Sequence, residues 1–337
     1  MRQQFLCKDT HDNSYRYLRI GVHCVVCTAY AKTVLCVPMS PPIMDRKIAA
    51  KRIAGKGFIA ALDQSGGSTP KALAAYGIPE NAWGGDKEKM FALMHAMRTR
   101  MIVNPSFDQR ISGAILFEKT MNSTIEGIPA AKYLADTKTI VPFLKIDEGL
   151  EEEKDGVQLM KPMTGLTERL QSANKHGIFG TKMRSVIGSA NAQGIAAIVD
   201  QQFTIGATIT AAGLMPILEP EVNIKSPEKP ACEFLLREVI IKHLDALPSD
   251  VQVMLKLTLP DTANYYEPLI KHPRVLRVVA LSGGYSCAKA NEMLSQNRGM
   301  TASFSRALVE NLRADQSDEE FTAALDAAIE SIYRASH

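Results

Sequence analysis

From residue 57 onward, short apolar runs alternate with amphipathic stretches, and the alternation occurs eight times. The runs are GFIAALD (57–63), ISGAILF (111–117), VPFLKI (141–146), IFGTKM (178–183), LMPILEPEV (214–222), QVMLKL (252–257), VLRVVALS (275–282) and TASFSRA (301–307). Each has the length and near-continuous hydrophobicity of a strand buried on both faces, and strands separated by helices belong to a parallel sheet. Eight such strands point to an α/β fold, a single (α/β)8 barrel.

The intervening segments DKEKMFALMHAMRTRM (86–101), AQGIAAIVDQQFTIGATITAAG (192–213) and CEFLLREVIIKHLDAL (232–247) read as helices. The second ends on a glycine stop signal at Gly213, and SDEEFTAALDAAIESIYRA (317–335) opens with a Ser-x-x-Glu capping box. No Pro/Ser linker or shift in composition divides residues 44–337, so they form one domain.

Residues 1–43 differ from the rest. They carry Arg2, Lys8, Arg16, Arg19 and Lys32 against Asp9 and Asp12, a net +3 that equals the net charge of all 337 residues. The remainder is neutral, which argues against the basic field of a nucleic-acid partner or a membrane surface. Four of the six cysteines, Cys7, Cys24, Cys27 and Cys36, also lie in this leader. Cys24-Val-Val-Cys27 lacks a second CxxC and a flanking βαβ pattern, so a zinc or redox site is the weaker reading. Asp9 and Asp12 interrupt a targeting signal, which is the weaker reading, and Met44 opens MDRKIAAKRIAGKGF, a natural helical start. The leader is expected to be disordered or non-native. With no apolar run near the ~20 residues of a membrane span and a mean hydropathy of −0.06, a cytoplasmic location is expected.

In a barrel of this kind chemistry gathers where strands run out into their following loops. Here the run-outs carry Asp63, Glu118, Lys145, Lys182, Glu219 with Glu221, Lys256, Ser282 and Arg306. Lys256, flanked by apolar residues in VQVMLKLTLP, is expected to point into the barrel. Burial disfavours its charged form, and a neighbouring Lys182 or Lys145 disfavours it further, which makes an amine nucleophile able to form a Schiff base. The competing reading is an internal ion pair with Glu219 or Glu221. Glu219-Pro220-Glu221 sets two carboxylates on one side of an extended chain, suited to moving protons. A metal site there is disfavoured, because none of the seven histidines lies in a strand end and converging lysines repel a cation.

Two glycine-rich turns follow strands: Asp63-Gln64-Ser65-Gly66-Gly67-Ser68 and Ser282-Gly283-Gly284. Such turns present backbone N–H groups to anions. The loops after the seventh and eighth barrel strands commonly hold phosphate, and Arg306 ends the eighth run. Ser68, Lys145 and Arg184 across the mouth suit a second phosphate, so a substrate phosphorylated at both ends fits.

GFIAALDQSGGSTPKAL, GTKMRS, PILEPEVN, MLKLTLP, LSGGYS and ASFSRAL together closely resemble the class I fructose-bisphosphate aldolases, in particular their shorter bacterial form, from about Met44 to the C-terminus. The resemblance implies a barrel with no metal and no other cofactor that reversibly cleaves fructose 1,6-bisphosphate to dihydroxyacetone phosphate and glyceraldehyde 3-phosphate. It implies that Lys256 is the Schiff-base lysine, that Glu219 is the acid/base for carbinolamine dehydration with Glu221 in support, and that Asp63 promotes carbon–carbon cleavage. Lys182 and Arg184, with Lys145 alongside, would orient and polarise the substrate. Ser282, Gly283 and Arg306 would hold the ketose-end phosphate, with Ser68 and Arg98 as further phosphate candidates. Gln64 stands where animal enzymes usually carry glutamate, and the animal-type tail ending in tyrosine is absent, Tyr333 being placed in the last helix.

Two alternatives stay open. One is another Schiff-base barrel aldolase, of tagatose-bisphosphate or transaldolase type. The other is a catalytically silent scaffold barrel, which is weakened by the presence of every expected catalytic residue type at once. The sugar phosphate is the expected partner, and the sequence leaves homo-oligomer formation open.

Overall fold

The computed structural model describes residues 4–8, 15–19 and 44–337. Contacts divide the chain into Met1–Pro42 and Ile43–His337. In the first unit Gln4–Lys8 pairs antiparallel with Tyr15–Arg19, Leu6 opposite Tyr17. The rest of the leader, with Cys24, Cys27 and Cys36 and most of the stretch expected to be disordered, lies outside the described residues.

In the second unit the eight expected strands form one parallel ladder: β1 (Phe58–Leu62), β2 (Ile111–Leu116), β3 (Val141–Lys145), β4 (Gly180–Ile187), β5 (Met215–Val222), β6 (Val253–Thr258), β7 (Val275–Leu281) and β8 (Thr301–Ala302), each beside the next. The ring closes where the Ala61 N–H donates to the Phe304 carbonyl at 3.1 Å. The eighth strand is shorter than its sequence suggests. Ser303 N–H still donates to Ala280 O at 2.7 Å, but the backbone leaves the extended region at Ser305 and Arg306–Val309 forms a helical turn. Arg306 therefore opens this turn and does not end a strand.

The strands are hydrophobic on both faces because two cores need them. Ile59, Ala61, Ile115, Val141, Phe143, Ile217, Met254 and Val279 fill the barrel interior. Its floor is sealed by Ala49 and Ile53 of α1 (Arg46–Ala54), whose first turn is capped by the Asp45 carboxylate. Phe143 and Phe179 meet edge to face there, with centroids 5.6 Å apart. The alternate residues, such as Leu62, Leu116, Leu218, Leu257 and Ala302, pack outward against the helices. Those helices follow the expected pattern: α2 (Lys87–Val103) starts at an Asp86 cap, α3 (Ala192–Ala211) stops before Gly213 at φ +78°, α4 (Lys229–Asp245) follows β5, and α5 (Asp318–Ala335) has the Ser317/Glu320 capping box and contains Tyr333. Among the described residues no helix is long and apolar enough to cross a membrane.

Candidate active site

A cavity of about 800 Å³ opens at the C-terminal ends of the strands. Parallel register determines what meets there. Lys145 on β3 is the register partner of Lys182 on β4, and Leu218 of β5 pairs with Leu255 of β6, which sets the next residues, Glu219 and Lys256, side by side. The direct β5–β6 ladder ends at that pair; beyond it the Thr258 hydroxyl donates to Val222 O at 2.7 Å and ties the two strand ends together.

The result is a chain of buried charges. The Lys256 ammonium lies 3.1 Å from one oxygen of Glu219, whose other oxygen lies 3.0 Å from Lys182; Lys182 also reaches Asp63 at 2.7 Å and Asp147 at 3.8 Å. The Lys182, Glu219 and Lys256 side chains are each 5% exposed or less. Buried charges persist only when paired in this way. Burial works to raise the Asp63 carboxyl, but Lys182, with Lys256 and Lys145 beyond it, outweighs burial and holds it well below the usual carboxylate range. Burial works to lower the Lys182 ammonium, and Asp63, Glu219 and Asp147 outweigh it and hold that group above the usual lysine range. Lys182 is thus a fixed cation. Lys256, the other buried lysine of the chain of charges, touches a single carboxylate. The ion pair weighed against a nucleophilic role is present, and it has the geometry a nucleophile needs: Glu219 Oε1 is placed to take a proton from the amine.

Glu219 and Glu221 go to different partners. Glu221 pairs with Arg184, so only Glu219 meets the lysines. Asp147 was not singled out in the sequence, yet its side chain is 6% exposed and accepts from the Lys145 ammonium at 2.5 Å. Its position two residues beyond Lys145 in Lys-Ile-Asp, on the same side of an extended chain, is the signal that would have found it. Glu118 starts a short helix, lies 4.0 Å from Arg169 and does not line the cavity.

Around the rest of the rim Ser68, Ser282, Gly283 and Arg306 all line the cavity. Gly283 and Gly284 adopt φ +60° and +116°, and a Cβ on Gly283 would sit 2.6 Å from Ile224 Cγ2, so this turn requires glycine. A Cβ on Gly284 would meet Arg306 Nη2 at 3.4 Å, which shows how closely the guanidinium lies against the turn. Arg98 is the exception among the expected residues. It does not reach the cavity: it is 2% exposed, and its guanidinium donates to Thr120 Oγ1 and Gln64 O, both at 2.7 Å, and to Gln64 Oε1 at 3.1 Å. Gln64 in turn donates to Ser305 Oγ at 2.7 Å, so Arg98 pins the loop after β1 against the loop after β8. Burial pushes the Arg98 guanidinium down to about 10, with nearby Asp63 opposing. Among the described residues no cluster of three or more His, Cys, Asp or Glu is arranged to hold a metal ion.

Residues 45–262 match the family "Fructose-bisphosphate aldolase class-I". The curated "Fructose-bisphosphate aldolase class 1" of Synechocystis sp. is 60% identical over 281 residues, which are 83% of this chain and 93% of that protein. The chain belongs to the class I fructose-bisphosphate aldolase family. It is therefore a lyase of that class. A solved fructose-bisphosphate aldolase from Plasmodium falciparum, in complex with TRAP and a small molecule inhibitor, superposes with a TM-score of 0.69 at 21% identity over 88% of this chain and 96% of its own. At that identity the likeness speaks for the fold, the aldolase (α/β)8 barrel.

Proposed function

We propose that the chain catalyses the reversible aldol cleavage of fructose 1,6-bisphosphate to dihydroxyacetone phosphate and glyceraldehyde 3-phosphate through a Schiff base on Lys256. The observation that carries this reading is the unbroken chain from Lys256 through Glu219 and Lys182 to Asp63, with every link at 2.7–3.1 Å. Glu219 takes a proton from the Lys256 ammonium, and the free amine attacks the C2 carbonyl. The protonated Glu219 then supplies a proton to the departing hydroxyl, and the carbinolamine loses water to leave an iminium. Asp63, ionised at all moderate pH, takes the proton of the C4 hydroxyl. The C3–C4 bond breaks as its electrons flow into the iminium; the aldehyde leaves and an enamine remains. Protonation at C3 and addition of water return the ketone product and the free lysine.

Lys182 stays charged throughout, holding Asp63 and Glu219 in place and drawing density from the substrate oxygens that develop charge. The glycine turn with Ser282 and Arg306 fits the ketose-end phosphate, and Ser68 lies across the opening for the other. The test is a cleavage assay with fructose 1,6-bisphosphate in excess chelator. Triose phosphate release that survives chelation supports the reading. No release from folded protein, or faster release from tagatose 1,6-bisphosphate, refutes it.

A further inference from the structure

Outside the cavity the barrel buries a second group of charges that the steps above do not use. The Lys229 ammonium, on the first turn of α4, donates to Glu233 Oε1 at 2.7 Å, to the Leu259 carbonyl at 2.9 Å and to Asp261 Oδ1 at 2.7 Å. Lys229 and Glu233 are 3% and 2% exposed, and neither lines the cavity. Burial works to lower the Lys229 ammonium, and its bonds to Asp261 and Glu233 outweigh burial, so the group stays charged. A buried ion pair is a weak source of stability, since apolar side chains of similar volume serve as well or better. What Lys229 supplies is direction: three donors aimed from α4 at Glu233 and at the loop that leaves β6.

That loop continues the strand of Lys256, at a point where the strand lacks a backbone partner on one side. Toward β7 the register holds to the end of β6, Lys256 with Val279 and Thr258 with Leu281. Toward β5 the ladder stops at Leu218 and Leu255, one residue short of Glu219 and Lys256. Beyond it side chains bridge the gap: the Thr258 hydroxyl on Val222 O, and the Lys229 ammonium on Leu259 O and Asp261. The far end of the loop is held elsewhere, by the Asn264 N–H on Asn297 Oδ1 at 2.9 Å. Lys229 begins the helix that follows β5, so its bonds join β5 and α4 to the end of β6. The spacing of those two strand ends sets the 3.1 Å between the Lys256 ammonium and Glu219 Oε1, the pair that exchanges a proton in the proposed reaction.

We infer that Lys229 is a positioning residue for the aldol reaction, clamping the end of β6 to β5 and α4 and so keeping the Lys256 amine within proton-transfer distance of Glu219. The inference rests on the aldolase reading and concerns a residue that touches no substrate. A loosened clamp lets Lys256 drift from Glu219 while the phosphate cradle on β7 and β8 is untouched. A small misplacement of this kind lowers a rate by up to about 100-fold. The loss therefore falls on kcat and spares KM.

The test uses Lys229→Met/Glu233→Leu, which replaces the buried pair by apolar side chains and strands no carboxylate in the core. The Asp261 carboxylate, 45% exposed, keeps its contact with solvent. Parent and variant are compared in steady-state cleavage, in thermal melting and in the rate of borohydride trapping with dihydroxyacetone phosphate. The melting temperature is expected to be kept, kcat to fall about 10- to 100-fold, KM to stay within about twofold, and trapping to slow with kcat. Asp261→Asn, which keeps Lys229 and Glu233 and weakens the bond to the loop, is expected to lower kcat by a smaller factor. A kcat within about twofold of the parent's, a loss carried by KM, or a loss that tracks a lower melting temperature overturns the assignment. Where the double variant fails to fold, Asp261→Asn takes its place in the same comparison. A parent enzyme that neither cleaves nor traps refutes the aldolase reading itself, whereas an active parent with an indifferent variant refutes the role of Lys229 alone.

Discussion

The two sides of the cavity solve opposite problems. On the β4–β6 side, Lys182, Glu219 and Lys256 are buried and satisfied by one another, with Asp63 and Asp147 completing the set. On the β7–β8 side the side-chain groups are unpaired: Arg306 has no ion-pair partner among the described residues, the Ser303 hydroxyl has no hydrogen-bond partner, and the glycine turn carries no side chain. The first side is held by its own ion pairs before substrate arrives, so little reorganisation is left for the chemical step. The second saves its donors for the ligand. Catalysis asks for preorganisation and recognition asks for unspent polar groups, and the barrel assigns them to different strands.

That division separates cleanly by mutation. Lys256→Ala is expected to lower kcat by on the order of 10⁴ or more, since it removes the amine that forms the Schiff base. The fold should survive, because Glu219 keeps Lys182. Circular dichroism with the cleavage assay checks both, and substantial residual turnover would break the comparison. Arg306→Ala is expected to raise KM roughly 10- to 100-fold, through loss of charge-assisted hydrogen bonds, while kcat changes much less. A fall in kcat with KM unchanged would place Arg306 among the preorganised groups.

Arg98→Met sharpens the boundary between the two sides. It leaves Gln64 O and Thr120 Oγ1 without their donor and is expected to destabilise the barrel by about 1–3 kcal/mol in a urea titration. The effect on KM should be small. A large KM change at full stability would return Arg98 to the phosphate site.

The smallest effect is that of pH. Asp63 is depressed when folded, so its contribution to stability is present above its unfolded value near about 4 and is lost as pH falls below that. Lys182 is raised, so its contribution is present below an unfolded value of about 10.4 and lost as pH rises through the folded one. The melting temperature should therefore be flat with respect to these two groups from pH 5 to 9 and fall in acid. A step within that range that disappears in Asp63→Asn would contradict the burial pairing.

The fold was legible because hydrophobicity on both faces is written into every strand. Seven of the eight runs lie within a few residues of the observed strands, and the eighth ran long because the apolar spacing of TASFSRA continues while the backbone turns at Ser305. Charged residues inside apolar runs announced Lys182, Glu219 and Lys256, because burying a charge is too unfavourable to be accidental. Serine gives no such signal, and Ser303 is distinguished only by the absence of a partner. Arg98 enters the phosphate candidates by the resemblance alone, not from its place on a helix. Its place four residues after Met94 and three before Met101, both buried, was the sign that it lies on the inner face of α2.

The most direct test of the central claim is borohydride reduction with dihydroxyacetone phosphate in the presence of EDTA, followed by peptide mass spectrometry. The account predicts a single reduced adduct on Lys256. No adduct in folded protein, or an adduct on Lys182 in its place, would contradict it.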